Sequence, residues 1–378
     1  MKIDQFMVSG NEISYSRQNI TSDETVSFIL VFTSRSKLES PAWLALIQRK
    51  YPEIPILSCS TSGEVYVSEL KAESITGMAV AFESTSTEVH SAKLTEKDGS
   101  GSLGKRLASR FTKTDLRHLL VFSDGWLVNG SALIRGMYEV LGEEVSISGG
   151  LAGDGANFSK TLVGLNEDID QNMAVAIGLY GDQIRVGFGS HGGWNELGQT
   201  YEVTATNGRE VLKLDGERPL DFYQDFLGDD ADGLPGTAVL YPVAVWLPGA
   251  TDYVVRTVFN LDEFSGSLTL GEVIPEGSRL QFMKARFDDL LKGVKTAAEA
   301  ALTNLQQAPE MALMVSCIGR KLLFNQQIEE EIEATHQVLG NGVSIGGFYS
   351  YGEICPVERD LAALHHQMLT LTLLAESS

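Results

Sequence analysis

HLLVFSDG (His118 to Gly125) is an apolar run that stops at a serine, aspartate and glycine, and VSISGGLAGDG (Val145 to Gly155) is a second that dissolves into small residues. Between them, Ser131 to Leu141 places Leu133, Ile134, Met137 and Leu141 at helical spacing. The three pieces read as strand, helix and strand, a unit of roughly 30 residues. The same unit occurs on either side. VSFILVF (Val26 to Phe32) leads to ILSCSTSGE (Ile56 to Glu64), and MALMVSCIGR (Met311 to Arg320) leads to VSIGGFYSYGE (Val343 to Glu353). Each copy closes on a small-residue loop, and loops at strand ends in α/β folds are where ligands usually bind. Three such loops point to a composite binding site.

The remaining pattern fills in around these units. Thr76–Phe82 and Thr87–Leu94 read as a strand pair, and Met173–Tyr180 and Ile184–Ser190 flank a hairpin signal at Gly181, Asp182 and Gln183. Tyr201–Thr206 and Glu210–Leu214 flank Asn207-Gly208, the strongest short hairpin signal in the chain. Helices are expected at Arg218–Gly228, Phe287–Gln307 and Gln326–Leu339, and MLTLTLL (Met368 to Leu374) alternates as a strand does. The fold class is α/β, with repeated strand-helix-strand units, mixed sheets and interposed hairpins. Two domains are expected, over 23–205 and 206–378, after a lead-in over 1–22.

Hydrophobic residues make up 43% of the 378 positions and charged residues 21%, enough apolar surface for a substantial core. The net charge of −21 and pI near 4.7 describe a surface that repels phosphate backbones and anionic lipid. Nucleic acid and membrane surfaces are therefore not the expected partners. Cys59, Cys317 and Cys355 are odd in number, far apart and form no CxxC, which fits a reducing compartment. MKIDQFMVSG lacks an apolar signal core, and no apolar run approaches the ~18 residues of a membrane span. A soluble cytoplasmic protein is expected.

Each closing loop carries candidate chemistry. In CSTSGE, Cys59 or Ser60 would serve a hydrolase or transferase as nucleophile, which demands a base and an orienting group. No GxSxG elbow is present. The simplest reading is a turn after a buried strand; an intermediate one is a loop whose Ser60, Thr61 and Ser62 hydroxyls hold a polar ligand. GGLAGDG lacks the Lys-Ser/Thr of a phosphate loop, and Asp154 would repel phosphate, so Gly150 and Asp154 are read as contacts for some other ligand. Arg320 is placed to clamp a ligand carboxylate, or to pair with an acidic neighbour such as Glu353. Tyr349 and Glu353 in FYSYGEI mix aromatic and polar groups as small-molecule pockets do. Glu329, Glu330, Glu331 and Glu333 read as a solvated helix face. The six histidines form no HxxxH, HxH or HExxH, so nothing points to zinc. Haem needs only one axial ligand, and for it His365 comes first and His366 second.

Taken together, CSTSGE, GGLAGDG, AVAIGLYGDQIRVGFGSHGGW (Ala174 to Trp194), LDFYQDFLG (Leu220 to Gly228), VIPEGS (Val273 to Ser278), SCIGR (Ser316 to Arg320) and GFYSYGEI (Gly347 to Ile354) resemble the FIST domain, a bacterial sensory module with N-terminal and C-terminal parts. The resemblance implies ligand sensing in signal transduction without catalysis, the ligand being a small molecule such as an amino acid. Some stand-alone members resemble nitric-oxide-sensing haemoproteins that regulate a partner histidine kinase or cyclic-di-GMP enzyme. This chain shows no kinase or cyclase segment, so its output is expected through a separate protein. Ser60, Thr61, Ser62, Gly150, Asp154, Arg320, Tyr349 and Glu353 are the expected ligand contacts.

Overall fold

The structure is a computed structural model that describes residues 1–95, 98–234, 237–356 and 362–377. All three expected units are present. Phe28–Thr33 pairs in parallel with Ile56–Ser60, Leu116–Ser123 with Ser146–Leu151, and Met311–Cys317 with Ser344–Ser350. Their residues are almost all buried, as expected of parallel strands covered on both faces.

Each parallel pair is the centre of its own mixed sheet. On the far side of the opening strand lies an antiparallel return strand: Ile75–Ala81, Met173–Tyr180 and Leu369–Glu376 respectively. Beyond that lies Lys2–Ser9, Ser86–Lys93 or Ile184–His191. The expected strand pair Thr76–Phe82 and Thr87–Leu94, and the expected hairpin at Gly181–Gln183, therefore do not form. Ile75–Ala81 and Ser86–Lys93 belong to different sheets, as do Met173–Tyr180 and Ile184–His191. At each connection the chain steps from the return strand of one sheet to the outer strand of the next.

The closing loops are exchanged in a ring. The strand after the first loop, Glu64–Tyr66, pairs with Ser344–Ser350 of the third unit. Val163–Leu165, after the second loop, pairs with Ile56–Ser60 of the first. Gly352–Pro356, after the third, pairs with Ser146–Leu151 of the second. Each unit thus completes the sheet of another, and the three sheets close on one core. At its heart Phe32, Phe122 and Phe348, one from each sheet, lie 5.0 to 6.0 Å apart centroid to centroid. Such ring pairs contribute roughly 0.5–1.5 kcal/mol each beyond their burial.

Helices cover the outer faces. Gly130–Leu141 starts at Asn129, whose side chain accepts from the Ala132 amide at 2.7 Å, and buries Leu133, Ile134 and Met137 as the spacing implied. Phe287–Leu305 lies on Ile184–His191, where Gly187 and Gly189 leave no room for a Cβ beneath Ala301 and Ala297. A fourth, antiparallel sheet of seven strands spans Asn195 to Lys284 and has its own core around Tyr223 and Phe282. It is inserted between the outer strand of the third sheet and the helix Phe287–Leu305. The expected boundary at 205/206 lies within its strand Asn195–Asn207. Among the described residues no helix is long and apolar enough to cross a membrane.

Candidate functional site

The three closing loops meet, and they meet mainly through one another. The Ser60 hydroxyl donates to the Gly153 carbonyl at 2.7 Å and accepts from the Leu162 amide at 2.9 Å. The Ser62 amide donates to the Tyr349 carbonyl, and the Tyr349 amide to the Gly63 carbonyl. Thr61 donates to Glu64 at 2.5 Å, and Ser350 to Glu353 at 2.6 Å, the same offset of three residues in the first and third units. Glu64 and Glu353 are buried, and burial raises both carboxyls, Glu353 to about 8.

Several expected ligand contacts are thus engaged within the protein. Arg320 is fully buried and pairs with Glu331, its Nε 2.7 Å from Oε1. Glu331 also accepts from Tyr349 at 2.6 Å and Ser316 at 3.0 Å. The expected solvated face is corrected at this residue: Glu331 turns inward beside Ile332 and Thr335, while Glu329 and Glu333 stay exposed. Arg320 pairs with Glu331 and not with Glu353, because Glu353 is held by Ser350 and the Met368 amide. Gly150 is a packing residue; a Cβ there would lie 2.7 Å from Val315.

Two cavities open where the loops end. The smaller, about 220 Å³, is polar and includes Arg35, Thr61, Ser62, Glu64, Asp154 and Lys321. Three expected contacts, Thr61, Ser62 and Asp154, line it. Lys321 reaches the Ser62 carbonyl with its ammonium, and burial lowers its pKa. The larger cavity is about 860 Å³ and lies between the loops of the second and third units and the inserted sheet. Its wall combines Trp126, Leu127, Leu151, Phe158, Leu322, Tyr351 and Leu364 with Val239, Val258 and Phe259 from the insertion. Asn129, Arg209, Glu272 and His366 supply its polar groups. A mostly apolar cavity of this size with a few polar groups is the usual form of a small-molecule site.

The two histidines lie differently with respect to this cavity. His365 does not line the cavity; its Nε2 lies 3.3 Å from the Cys355 carbonyl, and burial followed by Arg256 lowers its pKa to about 4. His366 does line it, with Nδ1 buried and without a hydrogen-bond partner. Burial first, then Arg256, lowers its pKa well below the ordinary value, so the ring is neutral at pH 7.

Among the described residues, no hydrogen bond joins either candidate nucleophile to a His, Lys or carboxylate side chain. Cys59 donates to the Ser60 carbonyl at 3.3 Å, and burial, then Asp124, pushes its thiol up. Among the described residues, the Ser60 hydroxyl hydrogen-bonds to backbone groups, the Gly153 carbonyl and the Leu162 amide. No cluster of three or more His, Cys, Asp or Glu side chains among the described residues could hold a metal.

Sequence reading missed most of the larger cavity. Trp126 and Leu127 follow a strand end in SDGWLVNG, and their apolar character after a turn was a usable signal. Arg209, Phe259, Glu272 and Leu322 gave none, because their contribution depends on how the insertion docks.

Comparison with known proteins agrees with the motifs. A FIST N domain matches residues 27–217 and a FIST C domain residues 219–356. An uncharacterised protein of Mycobacterium tuberculosis is 25% identical over 268 residues, covering 69% of this chain and 68% of the relative. Another, from Mycobacterium bovis, is 26% identical over 172 residues, 44% of each chain. Among solved structures, a cyanuric acid hydrolase from A. caulinodans aligns over 94% of this chain and 91% of its own, with 8% identity and a TM-score of 0.37.

Proposed function

The chain belongs to the FIST family, whose domains are sensory domains of signal-transduction proteins, and from that premise we propose that it is a cytoplasmic, non-catalytic receptor for a small molecule. The observation that carries the reading is the 860 Å³ cavity, walled on one side by the exchanged loops and on the other by the inserted sheet. A ligand there touches both bodies, so its differential affinity for two arrangements of them is the means of signalling. Output passes to a separate partner, a histidine kinase or a cyclic-di-GMP enzyme being the kind expected.

The test is a neutral, polarity-sensitive dye such as Nile red. It should bind the wild type with enhanced emission and be displaced by the physiological ligand in a metabolite screen. Phe259 and Leu322 are 43% and 41% exposed at the cavity rim, so Phe259→Trp with Leu322→Trp narrows the mouth without loading the core. Equal dye binding by wild type and the narrowed variant would overturn the assignment.

A second reading is favoured by His366. A neutral imidazole lining a mostly apolar cavity could hold haem iron, and Arg209 would suit a propionate. Haem would supply the gas-binding iron. Protein made with haem available should then show a Soret band that His366→Ala removes and His365→Ala does not.

A further inference from the structure

We infer that the larger cavity takes an amphipathic monocarboxylate, a molecule with an acyl or aromatic body and one anionic head. This rests on the cavity being the sensory site, and it names the chemistry of what enters.

The body follows from the wall. Trp126, Phe158, Phe259 and Tyr351 give four aromatic rings, and Leu322 and Leu364 add branched aliphatic surface. Phe158 stacks on Tyr351 at 4.8 Å and 17°, which makes one flat, rigid face. Burying apolar ligand surface against it is favourable before the costs of association.

The head follows from the charges. The charged side chains in the lining are Arg209 and Glu272. Among the described residues the Arg209 side chain has no ion pair and no hydrogen bond; it stands free at the Asn207-Gly208 turn. Glu272 is already engaged, accepting from Asn129 Nδ2 at 2.8 Å, and is 6% exposed. Immediately behind lies Arg256, 6% exposed, whose Nη1 donates to the Val255 and Leu364 carbonyls at 3.0 Å while its Nε has no partner. The His366 Nδ1 is likewise buried and unpartnered. Two guanidinium groups and a neutral imidazole thus stand near this end of the cavity with one carboxylate, Glu272, which accepts from Asn129 and attracts Arg256. In a chain of net charge −21 this locality favours an anion. The nearby Glu272 limits the head to one charge: a second negative charge would meet its carboxylate. Arg209 offers the planar fork that carboxylates match with two parallel hydrogen bonds.

The experiment compares matched pairs with the same body, decanoate with decanol and indole-3-propionate with indole-3-propanol. Isothermal titration is the measurement, and fluorescence of Trp126, isolated by subtracting Trp126→Phe, reports occupancy. The carboxylate of at least one pair should bind tenfold or more tightly than its alcohol, with the difference shrinking as salt rises. Arg209→Gln, at an exposed position where folding is retained, should remove most of that difference and leave the alcohol unchanged. Alcohols binding as tightly as carboxylates, or equal loss of both in Arg209→Gln, would overturn the anionic head. If no pair binds while Nile red still does, the ligand class is wrong and the cavity assignment stands. If the dye also fails, the sensory-site reading falls first.

Discussion

Tyr351 donates its phenolic hydrogen bond to Asp154 across the partition between the two cavities. Tyr351 lines the large apolar cavity and Asp154 the small polar one. The other Asp154 oxygen, Oδ2, is held by Arg35 at 3.1 Å, the Ser159 hydroxyl at 3.0 Å and the Lys160 amide at 3.1 Å. The Tyr351 oxygen in turn accepts from the Phe158 amide at 3.0 Å. The second and third loops are thus joined by one polar pair at the boundary of both pockets. Tyr351→Phe keeps the ring on Phe158 and leaves Asp154 and the Phe158 amide short of a partner. It should cost about 1–3 kcal/mol in urea unfolding. An unchanged midpoint would show that water replaces the hydroxyl and that the pair does not hold the partition.

Among the described residues, Arg320 and Glu331 form the most deeply buried ion pair, both side chains at 0% exposure. Arg320 also donates to the Gly192 and Leu290 carbonyls, tying the third unit to the helix Phe287–Leu305. Removing one partner strands a charge, so Arg320→Met should cost about 3–5 kcal/mol. Adding Glu331→Gln, which keeps an acceptor for Tyr349 and Ser316, should restore part of that loss. A double-mutant cycle in guanidinium measures the coupling, and strict additivity of the two losses would contradict it.

Glu353 makes stability depend on pH in an uncommon direction. Its folded pKa, about 8, lies above the ordinary 4.5 because burial disfavours the carboxylate. Between those values the folded chain holds more protons than the unfolded one, so this group's contribution to stability falls as pH rises from about 4.5 to 8. Below 4.5 both states are protonated and the slope from this group vanishes. Glu353→Gln should flatten the decline over that window, seen as a smaller drop in Tm between pH 5 and 8. A wild-type Tm that the substitution leaves unchanged at every pH would refute it.

How far the chain could be read in advance divides by kind of information. The three units were legible because buried parallel strands are continuous apolar runs, and the helix at Gly130–Leu141 announced its inner face through Leu133, Ile134 and Met137. Pairing partners were not legible. Gly181, Asp182 and Gln183 form a good turn, yet turn chemistry does not say which sheet the following strand joins. Within the four glutamates near Ile332, the inward one was discoverable. Glu331 sits between Ile328 and Thr335 on the stripe that the apolar spacing defines, and a charge run obscured it. The loops were read as parts of a composite binding site; in the structure they meet, and the Ser60 and Thr61 hydroxyls are engaged within the protein. The larger pocket needed the insertion, whose docking no local pattern encodes.

The repeat itself predicts where a methyl group cannot be added. Gly149 and Gly347 occupy matching positions in the second and third closing strands, with φ of +139° and +157°. A Cβ on Gly149 would lie 1.9 Å from the Val121 carbonyl oxygen, and one on Gly347 1.8 Å from that of Met314. These are backbone atoms in the paired opening strand, so the clash is relieved only by parting the parallel pair beneath the loop. Gly155 offers the contrast: its φ is +70°, and the nearest atom to an added Cβ is 3.8 Å away. Gly155→Ala should cost about 1 kcal/mol, the conformational penalty alone. Gly149→Ala and Gly347→Ala should each cost about 3 kcal/mol or more, and should weaken dye binding in the large cavity because Leu151 and Tyr351, just beyond them, form its wall. Denaturant titration of the three variants decides it, and a Gly149→Ala protein as stable as Gly155→Ala would contradict the close approach of the two strands.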